Sequence, residues 1–226
     1  MKKFSLIVFA AALSISLVFV NGCGFGGFNG FSSGVRGSGT PKSEQRNVSG
    51  FSKIDAGGAV NLEVTAQKDF SVTVESDDNL LQYIKTEANG DTLKIFSEGS
   101  ISPKTKINVE ISMPELTDLD ISGASNALVT NVKTDSMQSE ASGASKIKID
   151  GTVKFFHADA SGASKIDAEG LQTENADVDS SGASSITVSP SNDLNADASG
   201  ASSVYYTNEP KNIKQTASGA SSVKKK

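Results

Sequence analysis

Ser142-Gly143-Ala144-Ser145 decides the reading of this chain, because the same four letters also begin at Ser122, Ser161, Ser181, Ser199 and Ser218. Successive starts are 20, 19, 20, 18 and 19 residues apart. A fixed period of this length marks one supersecondary unit that cannot bury its apolar face alone and stacks on its neighbours. Between motifs the chain reads Lys146-Ile147-Lys148-Ile149-Asp150-Gly151 and then Phe155-Phe156-His157-Ala158-Asp159-Ala160. These are two alternating runs separated by a turn signal, which recurs as Glu169-Gly170, Ser189-Pro190 and Glu209-Pro210. About 19 residues are too few for a helix pair with loops and suit one coil of a β-solenoid, each strand pairing in parallel with the coils above and below at about 4.8 Å. The expected fold is all-β, a parallel β-solenoid, right-handed by the usual hand of parallel crossovers.

Alternation assigns the faces. After the motif, Ile147 with Ile149, Ile186 with Val188, and Val204 with Tyr206 point inward, as Ile166 does; before it, Ala158 with Ala160, Ala176 with Val178, and Ala196 with Ala198 do the same. So little side-chain volume predicts a thin, flattened interior. The motif glycines Gly123, Gly143, Gly162, Gly182, Gly200 and Gly219 are structural turn residues, placed where the backbone needs an angle that a β-carbon disfavours. Their flanking serines are expected to bond turn amides or the serine of the next coil.

Outside the repeats the chain divides into three parts. Residues 1–22 read as a lipoprotein signal peptide: Lys2 and Lys3, an apolar run from Phe4 to Val20, then Asn21-Gly22 before an acceptor Cys23. Lipidation of Cys23, the single cysteine, removes the only thiol and with it disulfides, cysteine metal sites and a thiol nucleophile. It also makes the membrane, through an N-terminal lipid anchor, the first expected partner. Gly24, where inner-membrane retention would use Asp, favours the outer membrane of a Gram-negative envelope. Residues 23–43, rich in Gly, Phe and Ser, read as a flexible tether. Residues 44–121 carry strand letters without the motif, Asn89-Gly90-Asp91 signals a hairpin, and Ala56-Gly57-Gly58-Ala59 looks like a decayed copy of the motif. This stretch is expected to add less regular coils to the regular solenoid of residues 122–226.

The chain's net charge of −5, with 37% hydrophobic residues and no Trp, argues against nucleic acid, whose binding draws on clustered Lys and Arg. His157 is the only histidine, no arginine follows Arg46, and no phosphate-cradling loop occurs, so no catalytic residue and no cofactor is assigned. One pattern stands out. Two residues before the motifs stand Asp120, Glu140, Asp159, Asp179 and Asp197, and stacking in register would form an external column of carboxylates. Neighbours at that spacing repel by on the order of 1 kcal/mol per pair in water. A divalent cation is one candidate to moderate this; Lys146 and Lys165 are another, and screening by salt is the third.

Asn47-Val48-Ser49-Gly50-Phe51, the run from Ile54 to Leu62, Asp77 to Leu81, Leu93-Lys94-Ile95, Met113-Pro114-Glu115-Leu116 and the serial Ser-Gly-Ala-Ser motifs together resemble the bacterial head GIN-domain family of autotransporter-type adhesins. The resemblance covers about residues 46–226 and implies a β-helix like that of pectin lyases, no catalytic set and an adhesive role. The resulting expectation is a non-enzymatic envelope lipoprotein that offers a solenoid face to polysaccharide or protein. The alternatives are a β-helix polysaccharide-active enzyme and a structural or stress-related envelope component.

Overall fold

The computed structural model describes residues 34–226, which lie in one compact unit, Ser33–Lys226. The signal peptide, Cys23 and the first part of the tether fall outside the described residues. In chain order the first half contributes β1 (Val35–Arg36), β2 (Pro41–Arg46), β3 (Lys53–Ala56), β4 (Val60–Thr65), β5 (Ser71–Asp77), β6 (Ile84–Asn89), β7 (Thr92–Ser97), β8 (Ile101–Ser102), β9 (Ile107–Ser112) and β10 (Asp118–Ile121). The second half contributes four long strands, β11 (Asn126–Ala141), β12 (Lys146–Ala160), β13 (Lys165–Ser180) and β14 (Ser185–Ala198), then β15 (Ser203–Tyr206), β16 (Asn212–Ala217) and β17 (Ser222–Lys225).

From β11 onward every pairing is parallel and joins a strand to the next coil, as the period requires. The chain is a parallel β-solenoid of about five turns. The turn signals opposite the motif do not interrupt the four long strands, whereas Glu209-Pro210 separates β15 from β16. They appear as slips of register, between Val129 and Val132, between Lys148 and Asp150 and between Asp167 and Gln172, which bend a continuous ladder around the corner.

The motif forms the other corner and explains its own letters. Gly143 sits at φ 73°, and a β-carbon there would stand 2.6 Å from the carbonyl oxygen of Gly123 in the coil below. The following Ala144 donates its N–H to that same carbonyl at 2.8 Å. The last serines of the first five motifs are buried, and from the second motif on the hydroxyl donates to backbone carbonyls, not to turn amides or to a serine of the next coil as expected: Ser164 Oγ reaches Ala141 O at 2.8 Å and Ser202 Oγ reaches Ser180 O at 2.8 Å. Ser125 alone accepts an amide, from Val60 at 3.3 Å. The small motif residues therefore let successive corners approach closely while the hydroxyl of each motif's last serine keeps a partner.

Gly58, at φ 105°, lies directly under Gly123, so Ala56-Gly57-Gly58-Ala59 does stack as a first copy of the motif. In this way β3 and β10 extend one side of the solenoid and β4 extends the other. The N-terminal stretch departs from simple coils, however. β6 folds back antiparallel on β7 through Gly90 at φ 63°, and β5 pairs antiparallel with both β9 and β2.

The tether, expected to run to residue 43, gives way to structure at its end. β1 pairs with β8 and β2 with β5. The reason is polar. Asp77, fully buried, accepts the backbone N–H groups of Gly39 at 2.6 Å, Lys104 at 2.8 Å and Thr105 at 3.1 Å, and Ser38 N–H donates to Asn79 Oδ1 at 2.8 Å. Burial pushes the Asp77 carboxyl up, but these three backbone donors outweigh it and hold the group below its ordinary value.

The inward ladders hold Ile147, Ile149, Ile166, Ile186, Val188 and Val204 against Ala158, Ala160, Ala196 and Ala198, all buried. The interior is not uniformly thin. Away from the motif Phe156, Met137, Val153, Leu171 and Leu194 are also buried, so the cross-section widens toward the opposite corner. Phe156 fills space there while Phe155, one residue earlier and on the other face of the strand, is 56% exposed.

Candidate binding face

The strand entering each motif presents alternate residues outward. Their register, in successive coils, reads Asp55, Asp120, Glu140, Asp159, Asp179 and Asp197, with Lys94 before and Thr216 after. All five carboxylates singled out from the sequence thus fall in one column, and Asp55 adds a sixth. Asp55 was legible in principle, since it precedes the first copy of the motif. Burial is the main reason that the carboxyls of Asp120, Asp159 and Asp179 are pushed above their ordinary value; for Asp120 the charges of Asp55 and Glu140 add to it, for Asp159 that of Glu140, and for Asp179 those of Asp177, Asp197 and Asp159. Lys146 and Lys165 do not relieve this. They stack on each other beyond the motif, and among the described residues the column's one ion pair is Lys94 Nζ to Asp55 Oδ2 at 3.6 Å.

A second outward column runs two residues earlier in each coil and reads Lys53, Asp118, Gln138, His157, Asp177, Asn195 and Lys214. It was not recognised because its letters change at every coil, although its distance from the motif does not. Its members bond along the solenoid and across to the first column: Asn195 Nδ2 donates to Asp177 Oδ1 at 2.7 Å and Gln138 Nε2 to Glu140 Oε1 at 2.6 Å. His157 lies on this surface, its Nδ1 3.7 Å from Asp177 Oδ2. Ligand atoms of His157, Asp177 and Asp179 lie within 4.8 Å of one another, which makes this trio, not the column as a whole, the place where carboxylates meet an imidazole.

A groove of about 810 Å³ follows the opposite corner. Within it Lys154 Nζ pairs with Asp135 Oδ1 at 2.7 Å and Thr134 Oγ1 donates to Glu115 Oε1 at 2.7 Å. The pre-motif face differs in stacking its carboxylates in one continuous column.

Three solved structures share this architecture. A putative adhesin from Bacteroides fragilis aligns with a TM-score of 0.70 at 19% identity, covering 85% of this chain and 100% of that one. A putative lipid binding protein from Parabacteroides distasonis aligns at 0.54 and 20%, covering 85% and 99%. A putative adhesin from Parabacteroides merdae aligns at 0.55 and 16%, covering 85% and 98%. No curated protein matches the chain. The fold is common to all of them, and residues 50–210 match a family model over most of the stack just described, so the chain belongs to the family described as putative auto-transporter adhesin, head GIN domain.

Proposed function

We propose that this protein is a non-enzymatic adhesion module of the cell envelope whose pre-motif face binds polysaccharide or protein. The observation that carries the reading is the register of that face. Two outward columns run in step from Lys53 and Asp55 to Asn195 and Asp197, giving a partner a flat array of hydrogen-bonding groups at about 4.8 Å intervals. Family membership supports an adhesion-like role at the surface or envelope.

The test is capture by the Ser33–Lys226 unit on arrays of glycans and of envelope proteins, with Gln138→Arg/Asn195→Arg to obstruct the face and Lys148→Glu on the other side as control. Capture lost only in the first variant supports the reading; equal capture by all three places binding elsewhere. Shortened glycan products after incubation would replace adhesion with catalysis. Anchoring belongs to the same proposal: Cys23, behind its signal, carries lipid and holds the module on the outer membrane. Cys23→Ser should move the protein from the membrane to the soluble fraction or leave its signal uncleaved, and a normally cleaved, membrane-bound Cys23→Ser protein would refute it.

A further inference from the structure

We infer that Phe155 is the stacking platform of a sugar subsite on the pre-motif face, selective for a neutral glycan over an acidic one. The inference rests on the proposal that this face binds, and names where and what.

Phe155 is the most exposed large apolar side chain among the described residues. Its alternation partner Phe156 is needed inside, but Phe155 fills nothing. It borders an open cavity of about 620 Å³ that Phe156 and Ala176 also line, the remaining walls being polar. The strand register sets Ser136 on one side of Phe155 and Asn175 on the other, followed by Asp193 in the next coil. This makes a strip with one aromatic ring and a run of amide and carboxylate groups beside it.

Those groups are held in place before any ligand arrives. Asn192 Nδ2 donates to Asn175 Oδ1 at 3.1 Å and to Asp193 Oδ2 at 2.8 Å, and Asn212 Nδ2 donates to Asp193 Oδ1 at 2.7 Å. Across the cavity Asn195 is tied to Asp177 at 2.7 Å. Side chains fixed by bonds within the protein lose little freedom on binding, so their remaining donor and acceptor sites act at full strength. Asn175 Nδ2 and the second lone pairs of the two aspartates are such sites.

The chemistry selects the ligand. A pyranose ring has one face of C–H groups and an equatorial rim of hydroxyls that both donate and accept. The C–H face lies on the aromatic ring, whose negative π surface attracts the polarised C–H groups. The rim meets amides and carboxylates, which together accept and donate as hydroxyls require. No Lys or Arg lines the cavity, while Asp177 and Asp193 do. A uronic or sulfated glycan would bring like charge to this site without a counter-ion, which costs affinity. The subsite therefore takes a neutral sugar.

The experiment measures binding of the Ser33–Lys226 unit to hexasaccharides from cellulose, mannan, xylan and β-1,3-glucan, with oligogalacturonate as the acidic counterpart. Phe155→Ala, Phe155→Trp and Phe96→Ala are compared with the parent, Phe96 being another exposed aromatic, at 38%. The expected result is that at least one neutral hexasaccharide binds the parent, loses tenfold or more in Phe155→Ala, and is retained in Phe155→Trp and Phe96→Ala, with oligogalacturonate weaker throughout. Because Phe155 is exposed, all variants should melt with the parent, so a lost affinity is not a lost fold. Sugar binding that ignores Phe155→Ala overturns the subsite and leaves the adhesive face standing. Preference for oligogalacturonate overturns the selectivity for a neutral sugar, and capture of proteins but no hexasaccharide overturns the sugar subsite while the adhesive face stands. Absence of any capture overturns both.

Discussion

Gly143 carries two separate demands, and two substitutions can separate them. Its φ of 73° is a left-handed value that a residue with a β-carbon adopts at a cost of roughly 1–2 kcal/mol. Its second demand is space, because the carbonyl oxygen of Gly123 lies 2.6 Å from where a β-carbon would be. Gly90, in the hairpin between β6 and β7, has a similar φ of 63° but open space around it. Gly90→Ala should therefore cost about 1 kcal/mol, the conformational part alone. Gly143→Ala should cost at least twice as much, because the atom it meets is backbone, held in the ladder by Ala144 N–H at 2.8 Å. Urea denaturation of both variants measures the difference; equal losses would mean that the stacked corners can separate freely. The buried serines should be more forgiving. Ser164→Ala removes one donor, but Ala141 O keeps its backbone partner Ser161 N–H at 2.9 Å, so the loss should be about 1 kcal/mol.

Strands bring charges into columns, and the columns set opposite responses to pH. The carboxyls of Asp120, Asp159 and Asp179 are pushed above the ordinary value of 3.8, burial being the first cause. The native state thus holds their protons more tightly than the unfolded chain does. Their contribution favours folding below the unfolded value and is lost as pH rises through the raised native ones. Asp120→Asn/Asp159→Asn should raise the melting temperature at pH 7, and the gain should vanish below about pH 4, where the parent's carboxyls are already neutral. A gain that persists in acid would show that geometry, not charge, limits the column. Calcium chloride and sodium chloride at matched ionic strength should stabilise the parent equally, by screening; a gain confined to calcium and absent from Asp159→Asn/Asp179→Asn would reveal a bound cation. Asp77 has the reverse sign. Its carboxyl lies below the ordinary value, so what it contributes is present above the unfolded value and lost as pH falls through the native one. Protection of the amides of Gly39, Lys104 and Thr105, measured against the intrinsic exchange rate at each pH, should therefore fall in acid while the column is relieved. The two features differed in legibility for a physical reason. The column keeps a constant distance from a constant motif, so register follows from spacing. Residues 37–40 have the composition of a linker, and their order comes from one buried carboxylate 38 residues downstream of Gly39, which no local pattern signals.

The stack as a whole is close to one-dimensional, each coil pairing its strands with those of adjacent coils, so stability should vary along it. The N-terminal end has the bulky interior, with Phe51, Leu62, Leu93, Ile95, Ile111 and Leu119 buried, and antiparallel β6 and β5 lie against its outer parallel strands. The later coils bury Ala158, Ala160, Ala196 and Ala198 in the same ladders, and β16 is exposed along its whole length. Apolar area removed from water scales with side-chain size, so the early coils gain more per residue than the late ones. Hydrogen exchange should be slowest in β4, β9 and β10, intermediate in β12 and β13, and fastest in β16 and β17. Ile149→Asp sharpens the comparison, because it puts an unpartnered charge at a position with no exposure, in the middle of the stack. If coils depend on their neighbours only, that substitution should strip protection from β12 through β17 while β4 and β9 keep most of theirs. Lys148→Asp, on the outer face one residue earlier, should leave the profile unchanged. Uniform loss of protection in Ile149→Asp would mean that the chain unfolds as a single unit, and equal effects of the two substitutions would overturn the assignment of inner and outer faces.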